Sequence, residues 1–193
     1  MANMGMCFYC FETLEKRFDP KLTVTANKLF KNENYPVFVT WEKGDGELRG
    51  CIGTFESKSL YSSLVEYAEA SAFRDPRFTP ITKEEIPNLQ CKVNLLVNFK
   101  TADGIYDWEP GTDGVWISFY DSNSKTQRTS TYLPSVTGEW KGSKQSLLES
   151  LVVKSGFRGD FEEAKKSMRL VKYQSLQSSC TYAEYKKWKS GRL

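Results

Sequence analysis

The spacing of apolar side chains divides the first half of the chain into helical and strand-like segments. Between residues 4 and 18, apolar side chains recur at helical spacing with charged ones between them, which predicts a helix. Residues 35–41 and 91–99 alternate apolar and polar side chains, which predicts strands with one buried face. A helical period returns over residues 59–73. Helices and strands are therefore expected to alternate in this half.

The next segment carries the pattern of a hairpin. Residues 115–120 and 125–133 again alternate apolar and polar side chains, and the polar turn 121–124 joins them. Two such runs separated by a short polar turn are expected to pair in antiparallel fashion. Residues 101–114 before them are rich in Asp, Gly and Pro, so this stretch is expected to be a loop.

The last third of the chain is predicted to contain a loop, two helices and a strand. Residues 134–141 are expected to be a loop, and a helix is predicted from a cap at Ser143 to a stop at Gly156. A strand at 168–173 and a short helix at 182–188 complete the chain. Strands before and after central helices indicate an α+β fold with antiparallel sheets flanked by helices, and a single cooperative unit.

A short stretch at residues 47–55 combines features that are typical of a site. It forms the predicted second arm of a hairpin that then turns into a loop. On a strand, Arg49 and Cys51 would share one face. Glycines at Gly50 and Gly53 leave space beside the thiol for a small molecule or another backbone. The alternative is an ordinary hairpin strand with glycine bulges and an unreactive cysteine.

A second polar segment follows the predicted helix at 59–73. Asp75-Pro76 and Thr79-Pro80 bracket Arg77 and Phe78, and each proline restricts the residue before it to non-helical geometry. An ordered turn that carries an arginine is therefore expected here. Because the helix begins near the cysteine segment and ends at this turn, we expect the turn to pack beside Cys51; the alternative is a stiff connector.

The composition excludes several kinds of chemistry but does not indicate a particular reaction. The chain of 193 residues has 27 basic and 24 acidic side chains, a net charge of +3, which argues against a general polyanion-binding surface. It contains no histidine, which excludes the usual serine, cysteine and metal hydrolase mechanisms within this chain. The start lacks a secretory pattern and no apolar run is long enough for a membrane helix. The expected location is intracellular.

The cysteines are expected to be free thiols of different kinds. There are five, an odd number without the dense spacing of a secreted scaffold. Cys7 and Cys10 fall on or beside the apolar stripe of a predicted helix, and Cys91 lies on the apolar face of a strand, so all three are expected in the core. Cys180 has polar neighbours and is expected to be exposed. No matching ligand set accompanies Cys7 and Cys10, so no metal is expected.

The cysteine segment and several later motifs together resemble the AMMECR family. The similarity covers nearly the whole chain, residues 1–193, as a single domain of this type. Its motifs are Leu48-Arg49-Gly50-Cys51-Ile52-Gly53, Ala72-Phe73-Arg74-Asp75-Pro76-Arg77-Phe78, Val93-Asn94-Leu95-Leu96-Val97-Asn98-Phe99, Thr131-Tyr132-Leu133-Pro134, Ser155-Gly156-Phe157 and Tyr182-Ala183-Glu184-Tyr185. The resemblance implies an intracellular α+β protein, cytoplasmic or nuclear, in two intimately connected subdomains. A cleft between the subdomains is expected to be lined by the Cys51 segment.

The resemblance implies a site without an established reaction. Its expected residues are Cys51 as the tentative catalytic group and Arg49, Gly50, Gly53, Asp75, Arg77, Phe78, Asn94 and Tyr132 as binding groups. No cofactor is implied. Relatives occur beside Memo-like and radical-SAM proteins in microbial genomes, which suggests partners in a shared pathway.

One hypothesis is an enzyme that acts on a small anionic or acyl-type substrate through Cys51. Arg49 and Arg77 would hold the anion while Asp75 orients an arginine. A cation near the thiol favours thiolate, so Cys51 is expected to be the most reactive of the five cysteines, and removal of Arg49 is expected to slow it. No imidazole is present to act as its base.

The alternative is a partner- or peptide-binding protein without catalysis. Its aromatic anchors would be Phe55, Phe78, Trp108 and Tyr132, since aromatic and arginine side chains are frequent hot spots of interfaces. Nucleic-acid binding is a third and weaker hypothesis. It rests on aromatic and basic residues alone, including the basic run at 186–192.

Overall fold

The computed structural model describes residues 3–191 and divides into two compact units. The first unit contains residues 3–96 and 176–191, and the second contains residues 97–175. The described residues do not include Met1 and Ala2 of the N-terminal segment or Arg192 of the basic run. The expected cleft between subdomains and the single cooperative unfolding transition stay predictions.

Helices and strands alternate along the described chain. The helices are α1 (Met4–Phe18), α2 (Leu60–Phe73), α3 (Pro134–Glu139), α4 (Lys144–Lys154), α5 (Phe161–Lys165) and α6 (Tyr182–Lys189). The strands are β1 (Asn34–Lys43), β2 (Leu48–Ser59), β3 (Leu89–Thr101), β4 (Gly114–Asp121), β5 (Thr126–Tyr132) and β6 (Arg169–Thr181). The fold is α+β with antiparallel strand pairs, as predicted. Across residues 3–191, every helix is too short or too polar to span a bilayer.

The first unit is built on a sheet in which β1 lies between β2 and β3. All pairings are antiparallel, and Thr40 of β1 faces Cys51 of β2 on one side and Lys92 of β3 on the other. Paired residues project to the same face of a sheet. One face therefore carries this polar row, and the opposite face carries the neighbouring residues Val39 and Val93, which are fully buried.

Helices α1 and α2 cover the apolar face of this sheet. Trp41 is fully buried, and its indole Nε1 donates a hydrogen bond of 3.0 Å to the carbonyl of Ala68 in α2. The ring of Phe11 in α1 packs edge-on against Trp41 with the ring centroids 5.0 Å apart. The alternating pattern of β1 thus produces its expected result, a strand with one face in the core.

The second unit has β4 between β5 and β6, all antiparallel. Helix α4 buries its leucines against this sheet. Its N-cap is Ser143, whose hydroxyl accepts a hydrogen bond from the amide of Ser146, and it is followed by Gly156 at φ of +80°. The predicted hairpin and the predicted start and stop of this helix are confirmed.

Three sequence-based expectations about elements are wrong. Residues 134–141 contain helix α3, because Pro134 stands in the first helical turn, where its missing N–H costs nothing. The strand expected at 168–173 extends to Thr181, and β2 continues as a strand to Ser59 instead of turning into a loop. The additional residues of both strands are mostly polar, so the alternation of apolar and polar side chains that predicts a strand does not extend over them.

The glycine at residue 50 is required by packing within the first unit. A Cβ at this position would overlap the carbonyl oxygen of Ser71, near the end of α2. Backbone therefore approaches backbone here, which is one of the uses expected for this glycine.

We expect Gly50→Ala to lower the free energy of unfolding by about 3 kcal/mol, because strand or helix must move to admit the methyl group. Urea unfolding monitored by tryptophan fluorescence measures this. Gly104→Ala is the matched control, since a Cβ there meets nothing within 4 Å, and it should change stability by less than about 0.5 kcal/mol. Equal effects of the two substitutions would contradict the close approach.

Candidate functional site

A β-bulge decides where Arg49 points. Trp41 pairs with Gly50 and Glu42 pairs with Leu48, so Arg49 is an extra residue with no partner on β1. A bulge interrupts the alternation of side chains along a strand and redirects the extra residue. The prediction that Arg49 and Cys51 share one face assumed a regular strand.

The guanidinium of Arg49 is buried in an ion pair away from the thiol. Its Nε donates to Glu85 Oε1 at 2.8 Å and its Nη2 donates to the carbonyl of Thr79 at 3.2 Å. Only 8% of the side chain is exposed. The hydrogen bonds that Arg49 donates to Glu85 raise the pKa of Arg49 further. The charge of Arg49 is therefore already paired, which argues against activation of Cys51 by this residue, and its role in holding an anionic substrate stays a prediction.

Asp75 connects the cysteine segment to the arginine-bearing turn. Its carboxylate accepts hydrogen bonds from the Cys51 amide at 2.9 Å, from Arg77 Nη2 at 2.7 Å and from Arg77 Nε at 3.0 Å. Only 1% of this side chain is exposed. The hydrogen bonds from Arg77 outweigh burial and lower the pKa of Asp75 to about 2. The expected neighbourhood of turn and cysteine segment is confirmed.

Arg77 is held by this carboxylate yet reaches solvent. Its Nη2 also donates to the carbonyl of Cys51 at 3.3 Å, and 55% of the side chain is exposed. Its Cζ lies 5.3 Å from the centre of the Phe78 ring, which places these two predicted binding residues side by side. Within residues 3–191, Nη1 donates no hydrogen bond. Asp75 therefore orients Arg77, as expected from the sequence.

The thiol of Cys51 is half-buried and protonated at neutral pH. Burial raises its pKa, and the carboxylates of Asp75 and Glu42 act in the same direction. The hydrogen bond from Thr40 Oγ1 to the sulfur, 3.2 Å long, and the charge of Arg77 oppose this effect without overcoming it. This direction is opposite to the one expected for a cation-stabilised thiolate, because desolvation exceeds the attraction of the nearby cation, and the catalytic role of Cys51 stays a prediction.

The sheet places further polar groups in line with the thiol. Lys92 follows Thr40 in the same row and pairs with Glu42 at 2.7 Å. The next row on this face contains Gly53, Phe38 and Asn94. We call these two rows of the first unit, together with Glu42 and Arg77, the Cys51 face. Thr40 and Lys92 were missed by sequence reasoning, which predicted the hairpin but not the register of its two strands.

Packing also explains the glycine at residue 53. A Cβ there would overlap the ring of Phe38, which packs edge-on against Phe55 with centroids 5.3 Å apart. Gly53 therefore makes room for an aromatic side chain of the same face. Its role in binding a ligand stays a prediction, as does that of Asn94.

Two predicted aromatic anchors belong to the second unit. The hydroxyl of Tyr132 hydrogen-bonds Ser150 Oγ at 2.9 Å, and Lys154 Nζ lies 4.4 Å from its ring centre. Trp108 is 97% buried and donates through Nε1 to the carbonyl of Ile105, so its proposed role as an exposed anchor is wrong. The binding role of Tyr132 stays a prediction.

The remaining cysteines form a buried cluster in the first unit. Cys7 interacts with Cys180 and Cys91, and its sulfur donates to the carbonyl of Ser178 at 3.4 Å. The core positions predicted for Cys7, Cys10 and Cys91 are confirmed, whereas the exposure predicted for Cys180 is wrong, since β6 turns it inward. Over residues 3–191, no group of three or more Cys, His, Asp or Glu side chains could hold a metal ion.

Comparisons with known proteins agree with the family resemblance. The AMMECR1 family model matches residues 7–178, and the chain belongs to this family. An uncharacterized protein of Arabidopsis thaliana is 41% identical over 95% of this chain and 87% of its own length. One of Schizosaccharomyces pombe is 39% identical over 96% of each chain. The crystal structure of an uncharacterized protein of Pyrococcus horikoshii shares the fold, with a TM-score of 0.71, 22% identity and coverage of 91% and 89%.

We expect Asp75→Asn to lower the free energy of unfolding by about 2–4 kcal/mol at pH 7, because Arg77 loses its buried partner. The pKa of Asp75 is depressed on folding, so its stabilisation is present above the unfolded value near 4 and is lost as the pH falls towards about 2. Urea titrations between pH 7 and pH 2 measure both effects.

The exposed Asp103 provides the matched control for this experiment. Asp103→Asn should retain the wild-type stability at pH 7 and the wild-type loss on acidification. A pH dependence of Asp75→Asn equal to that of the wild type would contradict the role assigned to the carboxylate.

We expect Cys51 to alkylate faster than the four buried cysteines on folded protein. The pH midpoint of its labelling rate should nevertheless lie above about 8.5, the pKa of an ordinary thiol. Iodoacetamide labelling across pH, read by peptide mass spectrometry, measures the midpoint. Glu42→Gln removes a nearby negative charge and should shift the midpoint down. A wild-type midpoint below that of the unfolded chain would contradict the effect of burial.

Proposed function

We propose that the Cys51 face is a binding site for an acidic segment of a partner protein, with no covalent step. The observation that carries this proposal is the arrangement of Arg77. A fully buried carboxylate orients the guanidinium, and more than half of the side chain remains exposed. A guanidinium fixed in this way loses little side-chain entropy on binding a carboxylate or phosphate.

The surroundings of Arg77 provide contacts for such a segment. Phe78 stacks near the guanidinium, and Phe38 and Phe55 pack together on the adjacent strands. An exposed arginine among aromatic rings is the composition of an interface hot spot. Lys92 adds a second cation, although Glu42 already pairs with it.

Nucleophilic catalysis by Cys51 is less well supported. A thiol attacks as thiolate, and burial raises the pKa of this one. The chain has no histidine to accept its proton, and the charge of Arg49 is paired with Glu85. The accessible position of Cys51 among the five cysteines is the observation that keeps an enzyme on a small anionic or acyl-type substrate as the second candidate.

Further proposals concern the partner and its location. A Memo-like protein is the partner that the family resemblance suggests first. Nucleic acid is disfavoured, because Lys186 and Lys189 of the basic run pair with Glu15 and Glu12. We place the protein in the cytoplasm or nucleus, where a reducing environment suits five free thiols.

The test compares proteins that co-purify with the tagged chain from its source cells, quantified by mass spectrometry. Arg77→Lys keeps a positive charge beside Asp75 but removes the planar guanidinium, which can donate two parallel hydrogen bonds to one carboxylate. It should therefore reduce recovery of the partner about tenfold. Arg74→Lys is the matched control, since Arg74 is the exposed arginine of the same turn, and it should recover the partner normally.

Two results would count against this proposal. One is the same set of proteins, in the same amounts, with wild type and with Arg77→Lys. The other is a covalent acyl adduct on Cys51, found by intact-mass measurement of protein denatured directly from cells and absent from Cys51→Ser. The adduct would support the enzyme.

A further inference from the structure

A cavity on the helical side of the first unit is separate from the Cys51 face. It measures about 540 Å³ and lies between α1, α2 and the segment that joins α1 to β1. This volume is within the range of small-molecule sites, roughly 300–1,000 Å³. Since α1 and α2 cover the apolar side of the sheet, the cavity and Cys51 belong to opposite sides of this unit.

Two polar side chains of this cavity have no hydrogen-bond partner. Tyr9 is 92% buried as a residue and its ring contacts Phe30 and Tyr61, but its hydroxyl reaches solvent and makes no hydrogen bond to residues 3–191. The side-chain oxygen of Asn27 is also buried and unpaired. Burial raises the pKa of Tyr9, so this hydroxyl remains a donor. The buried oxygen of Asn27 is the atom that carries a cost here, about 1–3 kcal/mol for a buried polar group without a partner, and proteins usually satisfy such groups.

Charges of both signs line the same cavity without pairing. Lys16 and Arg17 belong to the last turn of α1, and Glu69 belongs to α2. None of the three is in an ion pair with a described residue, in contrast to Lys186 and Lys189. Cations in the last turn of α1 also interact favourably with the helix dipole. That interaction does not explain why Glu69 lines the same cavity or why the hydroxyl of Tyr9 has no hydrogen-bond partner.

We infer that this cavity binds a small zwitterion, namely a free amino acid or dipeptide with an amide side chain. The carboxylate pairs with Lys16 and Arg17, and the ammonium group pairs with Glu69. The side-chain amide has both a donor and an acceptor, so it satisfies Asn27 and Tyr9 together. A simple dianion would meet the repulsion of Glu69, and an apolar ligand would leave the two polar groups unpaired.

Isothermal titration calorimetry with L-glutamine tests this inference. We expect saturable binding to the full chain, and binding at least tenfold weaker for glutaramate and for 4-aminobutanamide. Both probes keep the side-chain amide of glutamine. Glutaramate lacks the ammonium group, and 4-aminobutanamide lacks the carboxylate. Equal affinity for glutamine and glutaramate would overturn the assignment of a zwitterion, and the absence of saturable glutamine binding would overturn the site.

Variants locate the binding. Lys16→Gln, Glu69→Gln and Tyr9→Phe should each weaken glutamine binding about tenfold, while Lys28→Gln, an exposed lysine outside the cavity, should leave it unchanged. Tyr9→Phe should keep the wild-type melting temperature, because the hydroxyl it removes is unpaired. Arg77→Lys should bind glutamine normally, which separates this site from the Cys51 face. Glutamine binding that none of the cavity variants weakens would overturn the proposal.

Discussion

The carboxylate of Asp75 is the interaction on which the arrangement of the Cys51 face depends. The amide and carbonyl of Cys51 point away from β1, so neither is satisfied by strand pairing there. Asp75 accepts from the amide, and the arginine it holds donates to the carbonyl. The ion pair of a buried carboxylate with a partly exposed arginine thus supplies the hydrogen bonds that a neighbouring strand would supply, and it holds the backbone of Cys51 next to the guanidinium.

The bulge at Arg49 separates two arginines that the sequence places close together. Arg49 is turned inward to Glu85 and the carbonyl of Thr79, where its charge is neutralised. Arg77 is turned outward, with 55% of its side chain exposed. One cation is therefore buried in an ion pair and the other is exposed, which is why the proposed binding role falls to Arg77.

The sheet of the first unit keeps its two sides chemically distinct. One side carries Trp41 and Cys91 beneath α1 and α2, and the cysteines of α1 pack into the same core, where free thiols behave as small apolar side chains. The other side carries the half-buried thiol of Cys51 with Thr40 and Lys92. Because pairing fixes which residues share a face, one alternation of side chains produces both the core and the candidate site.

The sequence by itself determined most of the elements, the family and the neighbourhood of the site. Helix α1 has its predicted bounds, both hairpins are present, and the turn at Asp75 lies beside Cys51, because periodicity, caps and turn residues act over a few positions. Only the tertiary structure decided the direction of Arg49, the protonation of Cys51 and the burial of Cys180. Each of these depends on pairing or desolvation by residues distant in the chain, and no local pattern records such contacts.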